Sequence, residues 1–203
     1  MSAETRAYAA YKEYCGSEQP GVAWNDEAID WTQQETTPDQ ARIEAVLGTM
    51  ALAGAQLLHV GVGNSKLAQR FSNRVRRIDG LTVHPNEKIF AEALAIANYT
   101  VYVLNKYSRE VGSVLTHTYD FIVDNNLASF ACCKTHFFVM LENYMAVLRS
   151  EGRILTCQIG MDACHDDLGC TMTYADLVSL ERRFPLRVSK LTDIVYALTK
   201  EPL

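Results

Sequence analysis

The sequence predicts an α/β protein: a doubly wound, mostly parallel sheet of seven strands, closed by a C-terminal antiparallel hairpin and preceded by an N-terminal helical extension. Three observations carry that reading. From residue 56 onward, short runs rich in Val, Ile, Leu and Tyr alternate with segments of helical periodicity. Such alternation implies a parallel sheet covered on both faces. The last two apolar runs, 187–191 and 194–198, are joined by Thr192 and Asp193; a parallel crossover needs about a dozen residues, so these two pair antiparallel. Finally, 203 residues with 48% hydrophobic and 21% charged content suit one core with a short appendage and argue against disorder.

The elements follow in order. Residues 1–14 place Tyr8, Tyr11 and Tyr14 at helical spacing, and the stretch from Gly16 to Pro20 breaks the pattern. Thr37-Pro38-Asp39 reads as a helix start, because Thr caps and Pro suits the first helical position; Ile43, Val46, Leu47 and Met50 continue it. Strands are expected at 56–60, 77–83, 99–104, 121–123 and 153–157. Helices are expected at 65–73, from Pro85 to about Ala97, at 135–148 and at 174–183. Glu151-Gly152 reads as the stop after the 135–148 helix. The chain divides into residues 1–45, a helical extension or lid, and residues 46–203, the alternating core.

Charge and cysteine usage narrow the function classes. A net charge of −5 gives a polyanion partner no support, and the one basic cluster, Arg74, Arg76 and Arg77, falls in a loop. Nucleic acid is therefore not expected as a partner. No apolar run approaches the roughly 20 residues of a membrane span, and the start of the chain lacks a secretory pattern, so no membrane partner and a cytoplasmic location are expected. Six cysteines are too few for a disulfide scaffold. The adjacent Cys132 and Cys133 read as buried thiols. Cys157, Cys164, His165 and Cys170 have spacing that invites a zinc reading, but without a Cys-x-x-Cys pair they read as thiols, and no metal is expected.

The sharpest local feature is Leu57-Leu58-His59-Val60-Gly61-Val62-Gly63-Asn64-Ser65, an apolar strand that runs through Gly-x-Gly into a helix. Glycines permit positive φ and close approach of a ligand, and a helix N-terminus offers unpaired N–H groups. An ordinary tight turn has the same local pattern; the position after the first strand of an alternating fold adds weight to the ligand reading. A dinucleotide site wants a third glycine where Lys66 stands, which disfavours a nicotinamide-dependent oxidoreductase.

With these residues in view, the chain resembles the class I S-adenosylmethionine-dependent methyltransferases, which have a Rossmann-like fold. The first motif is Leu57 to Ser65 and the second is Asp79 to Glu87. The fourth is Tyr119 to Asn126 and the fifth is Ala146 to Leu155, in the family's order and spacing over residues 50–200. The resemblance implies S-adenosyl-L-methionine as cofactor. Gly61 and Gly63 would pass beneath its methionine part, with Asn64 and Ser65 in the turn that follows. Thr82 would lie beside the ribose, with Val83 after it also binding the cofactor, Asn105 near the adenine, and Asp124 and Asn125 beside the transferred methyl. Thr82 stands where the family usually keeps a carboxylate, His59 where it often has Asp or Glu, and Ser65 where a third glycine is usual.

Methyl transfer asks the protein to position the partners and, for some nucleophiles, to remove a proton. Asp124 by position and His136 near the start of the following helix are the candidate bases. Each also has a structural reading, as a strand-end cap and a packed imidazole. His59, His84 and His117 read as structural. Asp124-Asn125-Asn126-Leu127 lacks the Asn/Asp-Pro-Pro-aromatic sequence used on nucleobase amines. The implied activity is methyl transfer to O or N of a small-molecule acceptor, and a homodimer is compatible with it. The altered His59, Ser65 and Thr82 keep a second reading open: a non-catalytic protein of the same fold that serves as a cofactor-binding or partner subunit. Trp24, Trp31, Tyr8 and Tyr11 suit a lid over the site.

Overall fold

A computed structural model describes residues 13–18, 29–128, 131–162 and 171–202. The expected helix over 1–14, with Tyr8 and Tyr11, and Trp24, Cys164, His165 and Cys170 lie outside or almost wholly outside the described residues.

Seven strands form one sheet in the order β3-β2-β1-β4-β5-β7-β6. They are β1 (Gln56–Val60), β2 (Arg77–Thr82), β3 (Tyr99–Val103), β4 (Tyr119–Val123), β5 (Leu148–Cys157), β6 (Leu186–Lys190) and β7 (Val195–Lys200). The first five pair parallel, while β7 runs antiparallel to both β5 and β6. Every residue of β1 is buried, as expected for a central parallel strand covered on both faces. The strand order reverses between β1 and β4. In open α/β sheets, ligands bind at the carboxyl ends of strands at that reversal.

The helices are α1 (Pro38–Leu47), α2 (Lys66–Phe71), α3 (Pro85–Ala93), α4 (Val111–Val114), α5 (Lys134–Val147), α6 (Gln158–Asp162) and α7 (Tyr174–Ser179). Alternation along the strands sends side chains to two cores. Leu57, Val123 and Leu155 meet Ile43 and Leu47 of α1 and Leu67 and Phe71 of α2 on one face. Leu58, Ile122 and Ile154 meet Val111, Phe137, Leu141, Tyr144 and Leu177 on the other.

Some boundaries differ from the sequence pattern. Glu151-Gly152 is not a stop before β5 but lies within it. Glu151 takes φ 62° and the β4–β5 register shifts between Tyr119 and Phe121, so the turn pattern marks an irregularity in a longer strand. The helix expected at 174–183 splits into α7 and a 3₁₀ turn at Leu180–Arg182. The short α4 and α6 carry too few residues for a legible period.

Candidate functional site at the glycine turn

Beyond Val60 the chain turns sharply. Gly61 has φ 74°, Gly63 has φ 45° and Ser65 has φ 53°. Ser65 thus adopts, at the N-cap of α2, a conformation that glycine takes more readily. It is buried, and its hydroxyl lies 3.2 Å from Tyr99 Oη across the sheet. A Cβ at Gly61 would meet nothing within 4 Å, so the floor above it is open. At Gly80, by contrast, a Cβ would lie 2.6 Å from Val62 Cγ1. Glycine there lets β2 pack closely behind the turn.

Thr82, at the end of β2, accepts from the His84 N–H (2.9 Å) and donates to Glu87 Oε2 (2.6 Å). The same oxygen accepts from the Gly63 N–H at 3.0 Å. A carboxylate therefore stands beside Thr82 after all, supplied by the third residue of α3. Side chains in the first helical turn point back toward the N-terminus, and Pro85 fixes where that turn begins. Burial holds the Glu87 carboxyl above its ordinary range, against hydrogen bonds from Thr82 and the Gly63 amide and the nearby His84. A carboxylate offers about four lone-pair directions, and these two bonds use part of that capacity.

The segment before α1 covers the turn. Asn64 Nδ2 donates to the Gln34 carbonyl at 2.8 Å, and Trp31 Cζ3 lies 3.9 Å from a Cβ built on Gly63. Trp31 meets His84 edge-on, with ring centroids 6.0 Å apart. Trp31 Nε1 and both ring nitrogens of His84 are buried without a protein hydrogen-bond partner. Orphaned buried polar atoms beside an open glycine floor fit a polar ligand or ordered water. Both nitrogens of His59 are also buried and unpartnered, and burial pushes that imidazole down to about 4.

The remaining expected residues are spread more widely. Val83 and Asn105 are half-buried at the ends of β2 and β3, and Asn105 Oδ1 accepts from the Tyr107 N–H at 3.0 Å. Asn125 donates to Asp39 of α1. Asp124 is fully buried and points to the opposite face, where Lys106 Nζ donates to both carboxylate oxygens at 3.0 and 2.9 Å and Tyr144 Oη donates at 2.9 Å. Burial and the Asp124 charge hold the Tyr144 phenol well above its ordinary range. His136 is removed from the turn altogether: its Nδ1 lies among the sulfurs of Cys15, Cys132 and Cys133. Glycine turn, Asn64, Ser65 and Thr82 thus form one cluster, with Glu87, Trp31 and His84 as members that sequence reading did not assign to the cofactor. The Glu87 signal was legible in principle, as an acidic residue three positions past the cap of a helix that opens with proline.

No protein-family model matches the chain, and no curated protein does. Solved structures do match. One is the N-methyltransferase NodS from Bradyrhizobium japonicum in complex with S-adenosyl-L-homocysteine, at TM-score 0.64 and 12% identity over 86% of this chain and 94% of that one. A second is a TehB-like S-adenosylmethionine-dependent methyltransferase from Corynebacterium glutamicum, at TM-score 0.59 and 16% identity over 79% and 87%. A third is an rRNA methylase from Streptococcus thermophilus, at TM-score 0.53 and 10% identity over 83% and 99%. The chain therefore has the class I S-adenosylmethionine-dependent methyltransferase fold, and the expected seven-stranded architecture with its antiparallel hairpin is the observed one. At these identities the likeness is one of fold, and function has to be argued from the site.

Proposed function

We propose that this protein binds S-adenosyl-L-methionine over the Gly61–Gly63 turn and transfers its methyl group to a small-molecule acceptor. The observation that carries the reading is the open floor at Gly61, flanked by the Thr82–Glu87 pair and by the buried ring nitrogens of Trp31 and His84, which have no hydrogen-bond partner in the protein. Bound there, the cofactor supplies an electrophilic methyl on a sulfonium, so the chemistry is an in-line displacement.

The chain's own residues bind, orient and exclude water. Gly61 and Gly63 admit the ligand against the backbone. Glu87, held by Thr82 and the Gly63 amide, accepts the ribose hydroxyls in place of a carboxylate at position 82. Asn105 borders the adenine, Val83 lies at the cofactor beyond the end of β2, and Asn64 and Ser65 fix the turn. Asn125, tied to Asp39, lies at the methyl end. Trp31 and Gln34 close over the turn and limit the entry of water and of large acceptors. That cover and the net charge of −5 support a small acceptor over a polynucleotide. Asp124 is engaged by Lys106 and Tyr144, and His136 by three sulfurs. With both candidate bases engaged, an amine that attacks as its free base suits the site better than an alcohol that must first lose a proton.

The same engagement favours a second reading, a cofactor-binding subunit that does not transfer methyl. Calorimetry with S-adenosyl-L-methionine and its demethylated product separates the two. Micromolar binding with methylation of amines from an acceptor panel supports transfer, and binding without turnover favours the subunit. No binding of either compound by folded protein overturns both. Gly61→Val, which forces a β-branched residue to φ 74°, is expected to abolish binding. Glu87→Gln is expected to weaken it about tenfold, or about 1.4 kcal/mol.

A further inference from the structure

Outside the glycine-turn cluster, four side chains converge at the start of α5. Cys132 and Cys133 precede the helix, His136 sits in its first turn, and Cys15 comes from the other end of the chain. The ligand atoms all lie within 4.8 Å of one another. His136 Nδ1 is 3.4 Å from Cys15 Sγ, 3.1 Å from Cys132 Sγ and 3.2 Å from Cys133 Sγ, and the Cys15 and Cys132 sulfurs are 3.6 Å apart. A tetrahedral zinc ion with bonds of about 2.3 Å to sulfur and about 2.05 Å to nitrogen requires edges of about 3.6 Å for S···N and about 3.8 Å for S···S. The observed separations differ from those edges by a few tenths of an ångström, whereas a disulfide needs sulfurs about 2.05 Å apart.

We propose that Cys15, Cys132, Cys133 and His136 form a structural zinc site that staples the N-terminal segment 13–18 to the start of α5. Three thiolates and one imidazole complete a tetrahedron and leave no open position, the pattern of a structural site rather than a catalytic one. The surroundings favour the ligand states that zinc requires. The N-terminus of the 14-residue α5 faces the sulfurs, and the His136 N–H points at Cys133 Sγ; both stabilise thiolate. Binding releases the thiol protons to solvent, with no change in oxidation state.

Independent contacts bring the segment to the same place. The Glu13 carbonyl accepts from the Thr135 N–H (3.0 Å) and hydroxyl (2.6 Å), and its carboxylate meets Lys134 at 2.6 Å. Exposed contacts of this kind are weak, whereas a zinc ion is strong enough to fix the segment. This site does not depend on the methyl-transfer reading.

The test uses the full chain, stripped with chelator, held in reductant and titrated with Co2+ and then Zn2+. One equivalent of Co2+ is expected to give the intense visible absorption of a tetrahedral thiolate complex, and Zn2+ to bleach it. Cys15→Ser, in the appended segment and outside the hydrophobic core, is expected to weaken zinc binding about 100-fold or more, beyond the range seen for loss of an outer partner. In the unaltered chain, chelation is expected to speed hydrogen exchange at the Thr135 amide, a readout that needs no variant. Folded, reduced protein that takes up no Co2+, or that takes it up equally well as Cys15→Ser, overturns the proposal. A Cys15–Cys132 disulfide that persists in reductant does the same.

Discussion

His59 makes the stability of this protein depend on pH in a way that can be calculated. Its ring is buried in β1, inside the sheet, neither nitrogen has a protein partner, and burial pushes it down to about 4. In the unfolded chain it titrates near 6.5. Between those values the unfolded state binds more protons than the folded one, so stability rises with pH there and is lost as pH falls from about 6.5 toward 4. With those two values the loss is about 2 kcal/mol at pH 5 and about 3 kcal/mol at pH 4, relative to neutral pH. Glu87, whose carboxyl is raised by burial, works in the opposite sense, contributing stability at low pH that is lost as pH rises. The comparison that isolates His59 is therefore a difference between two chains. His59→Leu removes both unpartnered polar atoms at similar volume and is expected to be near neutral in stability at pH 7.5. Urea unfolding of both proteins at pH 7.5 and 5 is expected to show the unaltered chain losing about 2 kcal/mol more than the variant. Parallel acid limbs would refute the reasoning, because His59 would then protonate in the folded state as easily as in water.

Two further outcomes follow from packing. Asp124→Asn leaves the Lys106 ammonium buried without its carboxylate, and is expected to cost about 3–5 kcal/mol by denaturant unfolding; Asp124→Leu with Lys106→Met should recover most of it. Gly80→Ala places a methyl 2.6 Å from Val62 Cγ1 and 3.0 Å from Val101 Cγ2. It is expected to lower stability by about 1–3 kcal/mol, seen as an earlier urea midpoint at unchanged slope, and to weaken cofactor binding by moving Val62 within the turn.

What was legible in the sequence was what rests on local periodicity. The apolar run of β1, the Gly-x-Gly beyond it and the short link before β7, four residues in the structure where the pattern suggests two, each carry their structure within ten residues. Three parts of the site were not legible, each for a physical reason. The resemblance points to Thr82 beside the ribose; the first turn of α3 folds back over the strand end and brings the Glu87 carboxylate next to that residue. Asp124 looked available because its partners, Lys106 and Tyr144, lie 18 and 20 residues away on other elements. The thiol cluster joins residues 117 and 121 positions apart, so no spacing pattern announces it. The spacing of Cys157, Cys164, His165 and Cys170 invites a zinc reading, but these cysteines read as thiols; of these, Cys157 is buried at the end of β5, where burial raises its thiol.

These placements bear on how rate enhancement would arise. With Asp124 in an ion pair on the far face and His136 among sulfurs, the proposed reaction draws little from proton transfer. Its acceleration would come from holding donor and acceptor in line and from excluding water, and effective molarities of about 10⁵ M or more show that positioning alone can suffice. Positioning requires the covering segment to stay in place. Gln34 and Trp31 hold it at the glycine turn, and Glu13, with Cys15 in the proposed zinc site, ties residues 13–18 to the start of α5. In the proposed reaction the acceptor would then be selected by what fits beneath Trp31 and Gln34 at the glycine turn.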